Sequence, residues 1–297
     1  MKYIMTLIGR SDSSALNDKT VMQAAATVQG AGEPRWLAPH KACDIPFNTP
    51  APSEALAAVQ RVLKDLPLDV VVQPTGGRRK KLLLADMDST IIEQECLDEI
   101  AEKAGLGDKV ASITRRSMTG EIEFEEALRT RVALLAGKPV SLLDDVWHMH
   151  ITLTAGAHSL VATMSAHGAT TALVSGGFTY FTNKIAKALG FDYHRANVLL
   201  QQNNCLTGKV EEPILGRDTK YRLLQEMRTS LGLTPEEIVA VGDGANDLDM
   251  VRGAGLGIAF HAKPILETAA SACIRHNDLT ALLYIQGYTA EEIITPS

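Results

Sequence analysis

The chain has 297 residues, 45% of them hydrophobic, and carries 29 basic against 35 acidic side chains for a net charge of −6. That is ample for one sizeable core with appendages, while an acidic balance with no long basic block excludes nucleic acid as a first expectation for a partner. No run of about 18 apolar residues predicts a membrane span, and the scattered Cys43, Cys96, Cys205 and Cys273 lack CxxC spacing, so reduced thiols in a cytoplasmic protein are expected.

The first seventy-odd residues alternate strand and helix patterns. YIMTLIG (3–9) has strand character, KTVMQAAATVQGAG (19–32) has helical spacing with a glycine stop, and PRWLAP (34–39) is a short extended run. SEALAAVQRVLKDL (53–66) is helical behind Ser53, and LDVVVQP (68–74) is β-branched. Residues 1–75 are therefore expected to form a small α+β domain, and 76–80 a linker broken by Gly76 and Gly77. The RRKK run at 78–81 is expected to be a solvated linker end.

KLLLADMDSTI (81–91) opens the second part as a strand that ends on Asp86 and Asp88. Helical patterns dominate 93–165: EQECLDEIAEKAG, DKVASITRRSMTG, EFEEALRTRVALLAG and SLLDDVWHMH. The HMH triplet at 148–150 is expected at the surface, because i and i+2 point to different sides of a helix. Strand signals return at 169–177, 191–200, 236–244 and 255–260, separated by helical runs at 178–190 and 218–232. NNCLTGKV (203–210) suggests a hairpin. Strands alternating with helices predict an α/β core with a parallel sheet, whose site lies beyond the carboxyl ends of the strands.

Four places at such ends carry usable chemistry: Asp86 and Asp88, Ser175-Gly176-Gly177, Lys220 at a helix start, and GDGAND (242–247). Together they suit transfer of a phosphoryl group to a carboxylate and then to water. An aspartate with an ordinary pKa of about 3.9 is ionised at neutral pH, and a second acid must protonate a poor alkoxide leaving group. Asp86 and Asp88 suit these two jobs, since residues i and i+2 of a strand share a face. A divalent cation and a lysine offset the repulsion between two anions. Asp86, Asp243 and the backbone carbonyl of Asp88 are candidate Mg²⁺ ligands, and Asp247 could hold a metal-bound water. Ser175 and the glycine amides can bind phosphoryl oxygens, and Lys220 can neutralise developing charge.

These residues resemble the motifs of the haloacid dehalogenase superfamily: DMDST (86–90) its first, LVSGG (173–177) its second, Lys220 its third and GDGAND its fourth. Within it, DMDSTIIEQECLDEIA, MTGEIEFEEALRTRV, VSGGF and VGDGANDLDM are most similar to the phosphoserine phosphatases, over about 82–275. The resemblance implies a Rossmann-like core (81–92 and 166–297) with a helical cap (93–165) inserted after the first strand. It implies Mg²⁺-dependent hydrolysis of O-phospho-L-serine through an aspartyl-phosphate, the last step of serine synthesis. Asp86 would be the nucleophile and Asp88 the general acid/base. Glu95 would meet the substrate ammonium and Arg131 its carboxylate, while Met118 and Phe124 would line the cap face. Ser175, Gly176, Lys220 and Asn246 would hold the phosphoryl group, and Asp243 would bind Mg²⁺. A zwitterion needs one anion and one cation, and a guanidinium grips a carboxylate with two parallel hydrogen bonds. The N-terminal unit looks like a regulatory or dimerising domain of the ACT type, so a homodimer is an expectation. Rival readings are a phosphatase or phosphotransferase for another small phosphomonoester, and an amino-acid sensor with a degenerate phosphatase part.

Overall fold

A computed structural model describes residues 2–10, 12–118 and 121–296, with Met118 described by its backbone alone. The N-terminal part folds as β1 (Tyr3–Gly9), α1 (Asp18–Thr27), β2 (Arg35–Ala38), β3 (Ala42–Phe47), α2 (Pro52–Val62) and β4 (Leu68–Pro74). Its sheet runs β2-β3-β1-β4 with every pair antiparallel. The sequence predicts only three of these strands. β3 escapes because ACDIPF carries Asp44 and Pro46, both disfavoured in strands. Asp44 is nonetheless buried, for it accepts a hydrogen bond from Thr6 Oγ1 (2.7 Å) and pairs with both ends of the Arg78 guanidinium (2.5 and 3.0 Å).

The remaining elements are β5 (Leu82–Ala85), α3 (Cys96–Lys103), α4 (Gly107–Met118), α5 (Phe124–Ala133), α6 (Ser141–His150), α7 (Ala157–Ala166), β6 (Thr170–Phe178), α8 (Thr179–Leu189), β7 (Tyr193–Asn197), β8 (Leu199–Gln202), β9 (Cys205–Val210), α9 (Arg217–Ser230), β10 (Ile238–Gly242), α10 (Leu248–Gly253), β11 (Leu256–Phe260), α11 (Pro264–Glu267), β12 (Ala272–Ile274) and α12 (Ala281–Ile285). Six strands form one parallel sheet in the order β12-β11-β10-β5-β6-β7. β5 and β10 are buried at every position, as their uninterrupted apolar runs require between two helical layers. The chain proceeds from β5 outward through β6 and β7, then returns to β10 on the other side of β5. That reversal opens a crevice at the carboxyl ends of β5, β6 and β10.

The run 191–200 does not form one strand. It breaks at Val198, so that β7 stays in the parallel sheet while β8 pairs antiparallel with β9. The β8–β9 turn is Asn203-Asn204, both left-handed (φ 52° and 58°), which matches the right-handed twist of a hairpin. The hairpin reaches the helical segment: Gly137 N donates to Leu206 O (2.8 Å) and Leu206 N to Lys138 O (2.8 Å). Helices α3 to α6 pack among themselves, with α5 also on β9 and α3 on β6, whereas α7 packs on β6, α8 and α12. Among the described residues no helix is long and apolar enough to cross a membrane.

The expected solvated linker is partly buried. Arg78 also donates to Thr6 Oγ1 and to the carbonyls of Tyr284 and Ile285, and Lys80 Nζ donates to Gly77 O and Glu236 O (2.7 Å each). A charge run can go inside when each charge meets a partner there. Ile8, Leu37, Ala42 and Val71 of the N-terminal part share a hydrophobic cluster with Tyr284, Ile285 and Tyr288. Removing Arg78 leaves a buried, unpaired Asp44, so Arg78→Met is expected to cost about 3–5 kcal/mol. Urea unfolding measures this, and a double variant with Asp44→Asn should recover much of the loss.

Candidate active site

β5, β6 and β10 end side by side, and their sequels carry the functional side chains. Asp86 follows β5 directly and is 3% exposed. Its Oδ1 accepts from Met87 N (2.8 Å) and meets Lys220 Nζ at 2.6 Å, and Asn246 Nδ2 lies 3.4 Å from its Oδ2. Asp88 sits two residues further on, in a tight turn that Ser89 completes with φ 55°. Its Oδ1 accepts from Cys96 N (2.9 Å) and its Oδ2 from Ser175 Oγ (3.1 Å). The second strand end, β6, thus touches the first through Ser175, whose Oγ also accepts from Gly177 N (2.8 Å).

Asp243 follows β10, and Asp247 closes the next short helical turn. Asp247 is fully buried. It accepts from the amides of Asp243 and Gly244 (3.2 Å each) and from Lys220 Nζ (2.6 Å). Lys220, in the first turn of α9, is 2% exposed and bridges Asp86 and Asp247. Glycine is required beneath these groups. A Cβ on Gly242 would fall 2.3 Å from the Asp247 carboxyl, and one on Gly177 would fall 2.7 Å from Asp88 Oδ2.

Electrostatics follow from crowding anions in a dry crevice. Burial pushes the Asp86 carboxyl well above the usual range, Asp247 adds to this, and Lys220 opposes it. Burial, then the Glu95 charge, pushes Asp88 up to about 6. Burial and then Asp247 push Asp243 up to about 6, against Lys263. For Lys220 burial acts downward, but Asp247 and Asp86 outweigh it and hold the ammonium charged. Carboxylate oxygens of Asp86, Asp243 and Asp247 lie within 4.8 Å of one another, all buried. Three anions share one buried cation, and all the donors are hard oxygens. This set fits a hard divalent ion. It puts the Asp247 carboxylate beside those of Asp86 and Asp243, while the Asp88 side chain turns to Ser175 and Cys96.

A family model described as haloacid dehalogenase-like hydrolase matches residues 83–252, more than half of the chain and every strand end just described. The chain belongs to that family. Among its curated relatives, a phosphoserine phosphatase of Archaeoglobus fulgidus is 44% identical over 241 residues, 80% of this chain and 70% of that protein. A solved structure of a phospho-aspartyl intermediate analogue of phosphoserine phosphatase is 43% identical, with TM-score 0.65, and covers 69% of this chain and 98% of that one. A haloacid dehalogenase family hydrolase from Salmonella enterica serovar Typhi is 27% identical, with TM-score 0.84 over 95% of this chain and 97% of its own. The last likeness extends over the N-terminal sheet as well.

In this haloacid dehalogenase-like hydrolase the other sequence-predicted residues come from α3, α4 and α5. Glu95 precedes α3 and is exposed, with Oε1 accepting from Ser89 Oγ (2.8 Å). Its charge acts on Asp88 and more weakly on Asp243, and it favours the charged form of Arg131 alongside Asp98. Arg131 is half-buried on α5 and donates to Ala127 O and Thr114 Oγ1 (3.3 Å each). Among the described residues no carboxylate forms an ion pair with it. Phe124 lies over two glycines: Cβ atoms on Gly176 and Gly216 would sit 3.1 and 3.6 Å from its ring. Met118 ends α4, and its side chain lies outside the described residues. Of the HMH triplet, His148 and Met149 are exposed as expected, whereas His150 is half-buried with Nδ1 3.0 Å from Glu99.

Sequence reasoning misses three neighbours of the site. Cys96 is expected only as a reduced thiol, yet its amide holds Asp88. Lys263 faces Asp243 at 3.8 Å. Asn197 is a buried carboxamide at the end of β7. The only sequence signal for Asn197 is a polar residue directly before the apolar VLL run.

Proposed function

We propose that the chain is a Mg²⁺-dependent phosphomonoesterase that hydrolyses O-phospho-L-serine to serine and phosphate. One observation carries the substrate: Glu95, held by Ser89 beside Asp88, acts on both Asp88 and Arg131, a guanidinium with no ion pair among the described residues. Phosphoserine offers an ammonium, a carboxylate and a phosphate, each of which has a complement here. The phosphoserine phosphatase relatives support the same reading.

In this reading Asp86 attacks phosphorus, and the bond from phosphorus to the serine oxygen breaks. Asp88, whose pKa of about 6 suits proton transfer in either direction near neutrality, gives its proton to that oxygen. A water then attacks the aspartyl-phosphate, and Asp88 takes a proton back. The Asp86–phosphorus bond breaks, phosphate leaves and the carboxylate is restored. Asp86, Asp243 and Asp247 would hold Mg²⁺, which when bound screens the phosphate charge and polarises its oxygens. Ser175, the Gly176 amide, Asn246 and Lys220 bind the phosphoryl oxygens. The helical segment bearing Glu95, Phe124 and Arg131 acts as the cap that keeps water from the crevice.

Arg131→Ala tests the substrate. It should lower kcat/KM for phosphoserine about 100-fold, since a charged hydrogen-bonding partner is worth about 2–3 kcal/mol. Turnover of a generic aryl phosphate should stay within about threefold. Parallel loss on both substrates, or phosphoserine hydrolysis no faster than that of generic esters in the unaltered enzyme, would remove the assignment.

A further inference from the structure

The two loops that bear the proposed phosphoryl ligands come from different parts of the chain. The Ser175–Gly177 loop bulges out of the sheet: β6 pairs with β7 up to Val174↔Arg195, and pairing resumes only at Phe178↔Asn197. The other loop passes Leu215 and Gly216 into α9, which carries Lys220. Among the described residues no backbone hydrogen bond joins the two loops. Asn197 joins them. Its side chain is buried, with the residue 2% exposed. Nδ2 donates to Gly176 O (2.8 Å) and Leu215 O (3.3 Å), while Oδ1 accepts from Leu215 N (2.7 Å).

Only a carboxamide can donate to two carbonyls and accept from an amide at one point. A carboxylate cannot donate, and an alkyl group would leave three partly buried backbone groups without this partner. Phe124 rests on Gly176 and Gly216, one residue from each loop, so cap packing depends on the same spacing.

We propose that Asn197 is a positioning residue for phosphoryl transfer: its carboxamide sets the separation between the Ser175–Gly176 loop and the Lys220 helix, and with it the width of the phosphoryl pocket. This rests on the phosphoryl-binding reading given above. It does not depend on the identity of the alcohol, because the contacts lie entirely on the phosphate side.

The test compares full-length Asn197→Ala and Asn197→Asp with Asn277→Ala, at a temperature where circular dichroism shows each variant folded. Asn277 is another buried carboxamide, one that donates to Ile8 O (3.1 Å) and Asp69 (2.8 Å) at the N-terminal junction. For Asn197→Ala, kcat should fall about tenfold to 100-fold with phosphoserine and an aryl phosphate alike. The inhibition constant of inorganic phosphate should rise in step, and the ratio of kcat/KM between the substrates should stay constant. Asn277→Ala should lose stability and keep both kcat and phosphate affinity.

The carboxyl introduced in Asn197→Asp can donate to Gly176 O only when protonated, so its activity relative to the unaltered enzyme should climb as pH falls. Unchanged kcat and phosphate affinity in folded Asn197→Ala would overturn the proposal, as would an equal kcat loss in Asn277→Ala. If Asn197→Ala does not fold, a flat pH ratio for Asn197→Asp overturns it instead. Retained activity in Asp86→Asn would overturn the phosphoryl-transfer reading itself, which separates the two failures.

Discussion

Asp86→Asn should lower phosphoserine hydrolysis by a factor on the order of 10⁴ or more, the scale seen when a covalent nucleophile is removed. The change is nearly isosteric. The carboxamide oxygen can still accept from Met87 N and Lys220, so the turn at the end of β5 should survive. What is lost is a charged oxygen able to bond to phosphorus. The neighbours cannot replace it: Asp88 is held away by Cys96 and Ser175, and Asp247 is locked to Lys220 and two amides. Stability should hardly suffer, because the substitution relieves the repulsion with Asp247 that raises the Asp86 pKa. Melting without Mg²⁺ should therefore match the parent, with a smaller upward shift when Mg²⁺ is added. Rapid quenching with labelled substrate should find phosphate bound to the parent protein and none on the variant. Substantial turnover by Asp86→Asn, with label still on the protein, would move the nucleophile elsewhere.

Lys220→Met should damage both stability and rate. Its ammonium lies 2.6 Å from an oxygen of Asp86 and 2.6 Å from one of Asp247, and all three groups are buried. Removing one partner of a buried charged cluster costs about 3–5 kcal/mol, since the carboxylates that remain have no nearby solvent. Lys263 is a weak substitute, half-exposed and 3.8 Å from Asp243. Loss of a cation poised for developing phosphoryl charge should lower kcat by about 10²–10³ as well. Unfolding in urea with a chelator present measures the first effect, and turnover of folded variant at saturating Mg²⁺ measures the second. Added Mg²⁺ should restore more stability to Lys220→Met than to the parent, because ion binding to the native state adds free energy where repulsion is greatest. Equal unfolding midpoints in chelator would show that Lys220 does not neutralise the cluster.

Much of the candidate site is legible because its residues punctuate apolar strands. Asp86 after LLLA, Ser175 after ALV and Asp243 after IVAVG each interrupt a run that must be buried on both faces. A polar residue there has a reason beyond packing. The strand-helix alternation likewise predicts the parallel sheet, and hence that these interruptions meet at one edge. Other features depend on partners distant in sequence. Asp44 makes β3 look unlike a strand until Arg78 and Thr6 are seen to neutralise it. The run 191–200 carries one continuous strand pattern in the sequence, and only pairing to β6 on one side and β9 on the other divides it at Val198.

The sequence by itself determined the strand–helix alternation of the α/β core, the identity of the carboxylates and lysine, and the chemistry they can perform. Tertiary structure alone decided that Lys220 bridges Asp86 and Asp247, that Arg78 and Lys80 turn inward, and that Asn197 spans two loops. The physical reason is that local pattern records which residues avoid water, whereas charge pairing and hydrogen bonding between distant segments record which of them meet. Those meetings exist only once the sheet has brought the segments within about 3 Å of one another.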